Sequence, residues 1–111
     1  MDTAMAVRCF SALGQDRRLD VFRLLIQAGP EGLKAGEIAQ RLGQPASTMS
    51  SHLRILTEAG LVASQRKGRE IHFTPEIDRV RALVLFLVAD CCGGRADRCE
   101  PLLAELLPCC P

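Results

Sequence analysis

Residues 35–59 constrain the fold more than any other part of the sequence. Apolar residues recur there at helical spacing in two segments, Ile38, Ala39 and Leu42 in the first and Met49, Leu53 and Leu56 in the second. Gly43-Gln44-Pro45 interrupts the pattern between the segments, and Gly60 follows the second one. The pattern predicts two helices joined by a tight turn, which is a helix-turn-helix.

The second helix of this pair carries polar side chains on the face opposite its apolar residues. These residues are Ser47, Thr48, Ser50, Ser51 and Arg54. All of them donate hydrogen bonds, and short side chains let a helix approach base edges and phosphates closely. We therefore predict that these five residues contact DNA, and that His52 packs inward and seats the helix.

A β-hairpin with a basic tip is predicted after this helix. Residues 61–66 and 69–74 have strand character, and Lys67-Gly68 between them predicts a tight turn. The net charge of the chain is only +1, so the local cluster of Arg66, Lys67 and Arg69 is more informative than the total. We predict a wing over residues 61–74 whose tip contacts the phosphate backbone.

Further helices are predicted on either side of this unit, over residues 3–13, from about Asp16 to Gly29-Pro30, and over residues 76–92. Asp16 is the expected N-cap of the second of these helices. The side chains expected to be buried in that helix are Leu19, Phe22, Leu25 and Ile26, and those expected in solvent are Arg17, Arg18 and Arg23.

The helix over residues 76–92 is too apolar to remain solvated, and we expect it to pack against its counterpart in a second subunit. The chain of 111 residues has room for one domain. The predicted class is mainly α with a small β-hairpin (α+β), a winged helix-turn-helix over residues 1–111. Residues 3–13 and 76–92 are its dimerisation helices, and residues 93–111 are a cysteine-containing tail.

The six cysteines do not indicate a secreted disulfide framework. Asp2 and Arg8 lie in the N-terminal segment, which lacks the apolar region of a signal peptide. The longest apolar stretch, residues 82–89, is far shorter than the roughly 20 residues that cross a bilayer. We expect a cytoplasmic protein with free thiols and no membrane partner. We expect no enzyme, because the sequence has no carboxylate pair, catalytic triad or phosphate loop.

Residues 47–62, STMSSHLRILTEAGLV, resemble the recognition helix and strand entry of the ArsR/SmtB metalloregulatory repressors. Ala12-Leu13-Gly14 followed by Arg17-Arg18-Leu19 is similar to an early segment of the same family. The resemblance implies a homodimeric repressor that binds double-stranded operator DNA and releases it when an effector binds.

Two effector sites common in that family are missing here. The arsenic site with a Cys-x-Cys in the helix before the recognition helix is missing, because residues 32–40 contain no cysteine. The zinc site with Asp and His on the dimerisation helix is also missing, because the only histidines are His52 and His72. The sequence is similar instead to a third subtype, in which a cysteine pair ends the dimerisation helix and a third cysteine follows. Cys91, Cys92 and Cys99 match that arrangement.

Three thiolates suit trivalent arsenic, which is satisfied by a pyramid of sulfurs, whereas zinc normally takes a fourth ligand. We therefore expect arsenic(III) as the effector and no constitutive cofactor. Antimony(III) or methylarsenite on the same scaffold, and a thiol redox or persulfide sensor, remain open as alternatives. Cys109 and Cys110 are candidate accessory ligands. Cys9 is another, although its apolar helix face favours a place in the core.

Overall fold

A computed structural model describes residues 1–88 of the chain, so residues 89–111 lie outside the description below. The elements are α1 (Thr3–Leu13), α2 (Asp16–Ala28), β1 (Leu33–Lys34), α3 (Ala35–Leu42), α4 (Ala46–Glu58), β2 (Val62–Lys67), β3 (Glu70–Pro75) and α5 (Ile77–Val88). The order confirms the predicted fold class, a winged helix-turn-helix. The predicted helix over residues 76–92 is seen as α5, and its expected end lies outside the described residues.

The turn between α3 and α4 is built from the backbone. Gly43 adopts the left-handed conformation, with φ of 64°. The Gly43 N–H donates to the carbonyl of Gln40 at 3.3 Å, and the Gln44 N–H donates to that of Ala39 at 3.0 Å. This pair of bonds is a Schellman motif, which ends α3 and satisfies its last carbonyls. Pro45 then begins α4 in an extended conformation, so the two helices are held at a fixed turn.

The start of α2 differs from the prediction. Gln15, and not Asp16, is the N-cap, because the Gln15 side chain accepts a hydrogen bond from the Arg18 N–H at 2.9 Å. Asp16 is the first helical residue, and its carboxylate accepts from the N–H of Arg17 at 2.8 Å. The acidic side chain therefore lies in the first turn, where it still complements the helix dipole.

The sheet has one strand more than predicted, in the order β1-β3-β2. The short strand β1 pairs with the central strand β3, with Leu33 opposite Phe73. In the wing, Lys67 pairs with Glu70, so the two-residue loop is Gly68-Arg69 and not Lys67-Gly68. Gly68 has φ of 66°, which a tight hairpin turn requires. Leu61, predicted to begin the wing, is fully buried and precedes β2.

An aliphatic core joins the helices to the base of the wing. Its largest fully buried side chains are Leu25, Ile38, Met49, Leu53, Leu56, Leu61, Val21 and Cys9. Each large aliphatic side chain buried in this way contributes about 1.5–3 kcal/mol. The core draws on α1 to α4 and thereby fixes the rotation of α4 about its own axis.

Three predictions for α2 were wrong. Leu19 and Ile26 are 42% and 43% exposed, because the core contacts the side of α2 that carries Val21, Phe22 and Leu25. Arg18 is half-buried instead of solvated. Its Nε donates to the carbonyl of Ala12 at 2.6 Å, so the guanidinium covers the C-terminal end of α1.

The helices α1 and α5 contact each other, and both leave large apolar side chains in solvent. In α5 only Leu83 is buried. The exposed apolar residues of the two helices include Val7, Phe10, Ile77, Leu85 and Leu87. Within residues 1–88, no helix has both the length and the apolar character needed to cross a membrane.

His52 is the one buried polar side chain in the part of the chain that the structure describes, which confirms its expected packing role. Neither ring nitrogen has a hydrogen-bond partner there. Burial lowers the pKa of His52 below its ordinary 6.5, and the positive charges of Arg18 and Arg17 lower it further, against an opposing effect of Asp16. The neutral imidazole is therefore the form that seats α4.

Two glycines of similar φ should differ strongly in their tolerance of a methyl group. A Cβ at Gly43 meets nothing within 4 Å, so Gly43→Ala should lower the free energy of unfolding only by the cost of a left-handed alanine, about 1–2 kcal/mol. A Cβ at Gly32 would lie 2.5 Å from the Phe73 carbonyl oxygen, which belongs to the central strand. Gly32→Ala should therefore cost at least ~3 kcal/mol, since overpacking adds to the strain. Urea unfolding measures both, and equal losses would contradict this account of Gly32.

The buried histidine predicts a pH dependence of stability. The pKa of His52 is lower in the folded chain than in the unfolded one, so His52 takes up its proton more readily in the unfolded chain. Acid therefore favours unfolding. The free energy of unfolding should therefore fall as the pH drops below about 6.5, the unfolded value. His52→Gln should show a shallower fall between pH 7 and pH 5 than the wild type does. Parallel curves for wild type and His52→Gln would refute this role.

Candidate nucleic-acid interface

The helix α4 has a buried side and a polar side. Its buried residues are Met49, His52, Leu53 and Leu56. Of the five predicted DNA contacts, Ser47, Ser50, Ser51 and Arg54 are exposed and Thr48 is half-buried. We call these five residues the reading face. The packing of one side of α4 thus presents the reading face to solvent as a single polar surface.

The side chains of the reading face differ in what they offer a nucleic acid. The Ser50 hydroxyl donates to the carbonyl of Ala46 at 3.2 Å, so its lone pairs are available to accept a hydrogen bond. Within residues 1–88, Arg54 forms no hydrogen bond or ion pair, and its guanidinium is available to guanine or phosphate. The face therefore combines acceptors with a strong bidentate donor.

The N-terminal end of α4 adds backbone donors. Its N-cap is Pro45, and no side chain caps the helix there. The first backbone N–H groups of a helix have no partner within it, and the helix dipole makes this end attractive to anions. A phosphate at this end would be held by the backbone while the reading face approached the bases.

The wing presents Arg66, Lys67 and Arg69 as exposed side chains. Lys67 is not entirely free, because its Nζ donates to the carbonyl of Glu31 at 3.3 Å. Arg66 and Arg69 have no such partner within the described residues. They are therefore the wing cations best placed to reach a phosphate.

Glu70 places a negative charge beside this basic tip, and its neighbours offset that charge. Its carboxylate lies 3.1 Å from Nε2 of His72 and 3.6 Å from Nζ of Lys34. The hydrogen bond from His72 lowers the pKa of Glu70, and the positive charge of Lys34 lowers it further. We did not identify Lys34 from the sequence, because its approach to Glu70 depends on the pairing of β1 with β3, and we did not identify His72, which lies two residues from Glu70 on the same strand.

A groove of about 340 Å³ lies between α4 and the wing. Ser50, Arg54 and Thr57 line it from the helix. Ser64, Ile71 and Phe73 line it from the sheet. Two reading-face residues, Ser50 and Arg54, therefore border the same groove as the strands of the wing, whereas Arg66, Lys67 and Arg69 at the wing tip do not line it.

The cysteines fall into two groups. Cys9 is 1% exposed, and its thiol donates to the carbonyl of Ala59 at 3.5 Å. This position confirms a place in the core and does not support the accessory-ligand role considered for Cys9. The other predicted ligands, Cys91, Cys92, Cys99, Cys109 and Cys110, lie outside the described residues. Within residues 1–88, no group of three metal-ligating side chains is brought together.

Sequence comparison places the chain among transcriptional regulators. Residues 13–65 match the helix-turn-helix domain family. The regulator MJ1325 of Methanocaldococcus jannaschii is 32% identical, over 71% of this chain and 86% of its own length. The regulator Rv1719 of Mycobacterium tuberculosis is 36% identical over 81% of this chain, but the chain spans only 32% of Rv1719. The transcriptional activator HlyU of Vibrio cholerae is 29% identical over 78% and 77% of the two chains.

Solved structures with the same fold support this placement. An ArsR-like regulator from Rhodococcus sp. RHA1 superposes with a TM-score of 0.71, at 25% identity and over 93% of this chain and 92% of that one. The homodimeric winged helix-turn-helix DNA-binding domain Mb0332 of Mycobacterium bovis, a possible ArsR-family regulator, gives a TM-score of 0.64 at 30% identity, covering 77% of each chain. A possible regulator for arsenical resistance gives 0.58 at 25% identity, over 86% and 93%. The chain therefore belongs to the winged helix-turn-helix transcriptional regulators of the ArsR type.

Proposed function

We propose that the chain is a repressor that binds operator DNA as a homodimer and releases it when arsenic(III) binds cysteine thiolates. The observation that carries the DNA-binding part is the polar reading face that the packing of α4 leaves exposed, followed in the chain by a wing with an exposed basic tip. Two copies would place their recognition helices in successive major grooves about 34–36 Å apart, as helix-turn-helix dimers do.

The exposed apolar side chains of α1 and α5 support the dimer. Val7 is 59% exposed and Leu87 is 58% exposed, and Phe10 and Leu85 are exposed to a lesser extent. Apolar surface of this kind on two adjacent helices is stabilised by burial against a second copy. The matching Mycobacterium bovis domain is homodimeric, which agrees with this proposal.

The effector is proposed from the cysteines near the end of the chain. Cys91, Cys92 and Cys99 would supply three soft sulfur ligands. Trivalent arsenic prefers such thiolates, whereas magnesium and calcium prefer oxygen donors. One matching structure is that of a possible regulator for arsenical resistance. Cys109 and Cys110 are the candidate accessory ligands that remain once Cys9 is assigned to the core.

Arsenic can release DNA only if it binds the DNA-free form more tightly. A nearly complete switch requires about 5 kcal/mol of differential affinity. Ligation displaces thiol protons, so sensing should weaken as the pH falls. The cysteines adjoin α5 in sequence, so reordering them would act on the proposed dimer interface.

The proposed DNA contacts predict that arginines of the wing and of α4 affect DNA binding in different ways. The probe is a duplex that the wild-type protein selects from a random-sequence library. Arg66→Gln and Arg69→Gln should each lower the slope of log affinity against log salt by about 0.9, as expected for one lost phosphate contact. Arg54→Gln should weaken binding by about 1–3 kcal/mol and relax sequence preference. Fluorescence anisotropy measures both effects.

Arg23→Gln is the matched control, because Arg23 is an exposed arginine of α2 outside the helix-turn-helix and the wing. It should leave affinity and salt slope near wild type. If Arg23→Gln weakens binding as much as Arg54→Gln does, the reading face is not the DNA contact.

The effector proposal is tested by titrating the protein–duplex complex with arsenite. Arsenite should release the duplex from wild type, and Cys91→Ser, Cys92→Ser and Cys99→Ser should each abolish release without weakening DNA binding. Cys109→Ser and Cys110→Ser test the accessory role, and each should weaken the response at most partially. Parallel titrations use methylarsenite, antimonite, zinc and peroxide.

Release by peroxide alone would favour the redox alternative, and one matching structure is that of reduced HlyU from Vibrio cholerae. A normal arsenite response in all three serine variants would place the site elsewhere. No response of wild type to any agent would refute thiol-based sensing.

A further inference from the structure

The junction between α4 and the wing is a backbone cap centred on Gly60. Gly60 has φ of 78°. Its N–H donates to the carbonyl of Thr57 at 3.0 Å, and the Leu61 N–H donates to that of Leu56 at 3.0 Å. These bonds form a second Schellman motif, which ends the recognition helix and turns the chain into β2. The orientation of both DNA-binding elements therefore depends on this short segment.

Arg79 of α5 lies directly against this cap. A Cβ built on Gly60 would be 2.7 Å from Nη2, 2.9 Å from Nε and 3.0 Å from Cζ of Arg79. The guanidinium thus occupies the space that a side chain at position 60 would need. The left-handed backbone favours glycine at position 60, and any side chain there would also displace the guanidinium of Arg79.

The charge of Arg79 complements the end of the helix that it covers. The last turn of α4 contains no basic residue of its own. A positive charge near the C-terminal carbonyls of a helix is stabilising, the more so when the site is partly buried. Arg79 is half-buried, and within residues 1–88 it forms no ion pair that would compete for its charge.

Two other contacts reach residues 59–61 from the segments that contain the proposed dimerisation helices. The N–H of Glu76, immediately before α5, donates to the carbonyl of Leu61 at 2.8 Å. From α1, the thiol of Cys9 donates to the carbonyl of Ala59 at 3.5 Å. Residues 59–61 are therefore held from both helices, and Arg79 is the only charged side chain among these contacts.

We propose that Arg79 is a positioning residue for operator binding, through which α5 sets the orientation of the recognition helix. A shift of α5 would move the guanidinium against the Gly60 cap and reorient α4 and the wing together. This inference rests on the proposed function, because it assigns a route by which the dimerisation helices influence DNA binding.

The test compares Arg79→Gln, Arg79→Lys and Arg81→Gln in the full chain. Arg81 is the matched control, since it lies on the same helix and its exposed side chain pairs with Asp78 at 3.1 Å. Affinity is measured for the selected duplex and for a scrambled duplex of equal length. Arg79→Gln should weaken selected-duplex binding about fivefold to tenfold, in line with the loss of a partly buried charge at a helix end. Binding to the scrambled duplex should change less than twofold.

The remaining variants and the salt slope separate positioning from other roles. Arg79→Lys should lie between Arg79→Gln and wild type, and Arg81→Gln should stay within twofold of wild type for both duplexes. The salt slope of Arg79→Gln should equal that of wild type, because a positioning residue neutralises no phosphate. A slope reduced by about one would make Arg79 a phosphate contact and overturn the proposal. So would equal losses in Arg79→Gln and Arg81→Gln.

Amide hydrogen exchange keeps the proposal testable without DNA. Arg79→Gln should speed exchange of the Gly60 and Leu61 amides severalfold, and Arg81→Gln should not. Unchanged exchange at Gly60 would overturn the proposal. If the wild type selects no duplex at all, the proposed function fails, and the exchange result alone then decides whether Arg79 holds the cap.

Discussion

The burial of one side of α4 is the constraint on which the rest of the structure depends. Met49, Leu53 and Leu56 are fully buried, and a helix packed on that side cannot rotate about its own axis. The polar residues between them must then face solvent, since a helix places neighbouring positions about 100° apart. The aliphatic core therefore determines the orientation of the reading face, although no core residue belongs to that face.

The same core fixes where the basic charges lie. Leu61 and Val62 anchor the first strand of the wing beside the end of α4, and the β2–β3 pairing carries the arginines to the tip. Glu70 would oppose a phosphate there, but Lys34 from the neighbouring strand and His72 from the same strand offset its charge. Packing and strand pairing thus expose the polar side of α4 and a basic wing tip, in a chain whose net charge is nearly zero.

Periodicity was sufficient to predict the helix-turn-helix, because Ile38 and Met49 belong to segments long enough to show a 3.6-residue repeat. It was not sufficient for β1, whose two residues show no period and become a strand only by pairing with β3. The exposure of Leu19 and Ile26 also followed from tertiary packing, since α2 has more apolar positions than the core can cover.

The sequence was least informative about contacts between distant segments. Arg79 looks like one more arginine on an amphipathic helix until Gly60 is found beside it. The polar reading residues were predicted individually, but the groove that Ser50 and Arg54 share with the strands of the wing depends on how the sheet folds back on α4. The proposed arsenic ligands rest on the cysteine spacing and on family resemblance, because they lie outside the described residues.

Hydrogen-exchange mass spectrometry of the full chain, with and without a selected duplex, tests the central claim most directly. Bound DNA should slow exchange in peptides covering residues 46–58 and the wing tip, and should leave peptides of α2 unchanged. Protection confined to α2, with none in residues 46–58, would contradict the assignment of α4 as the recognition helix.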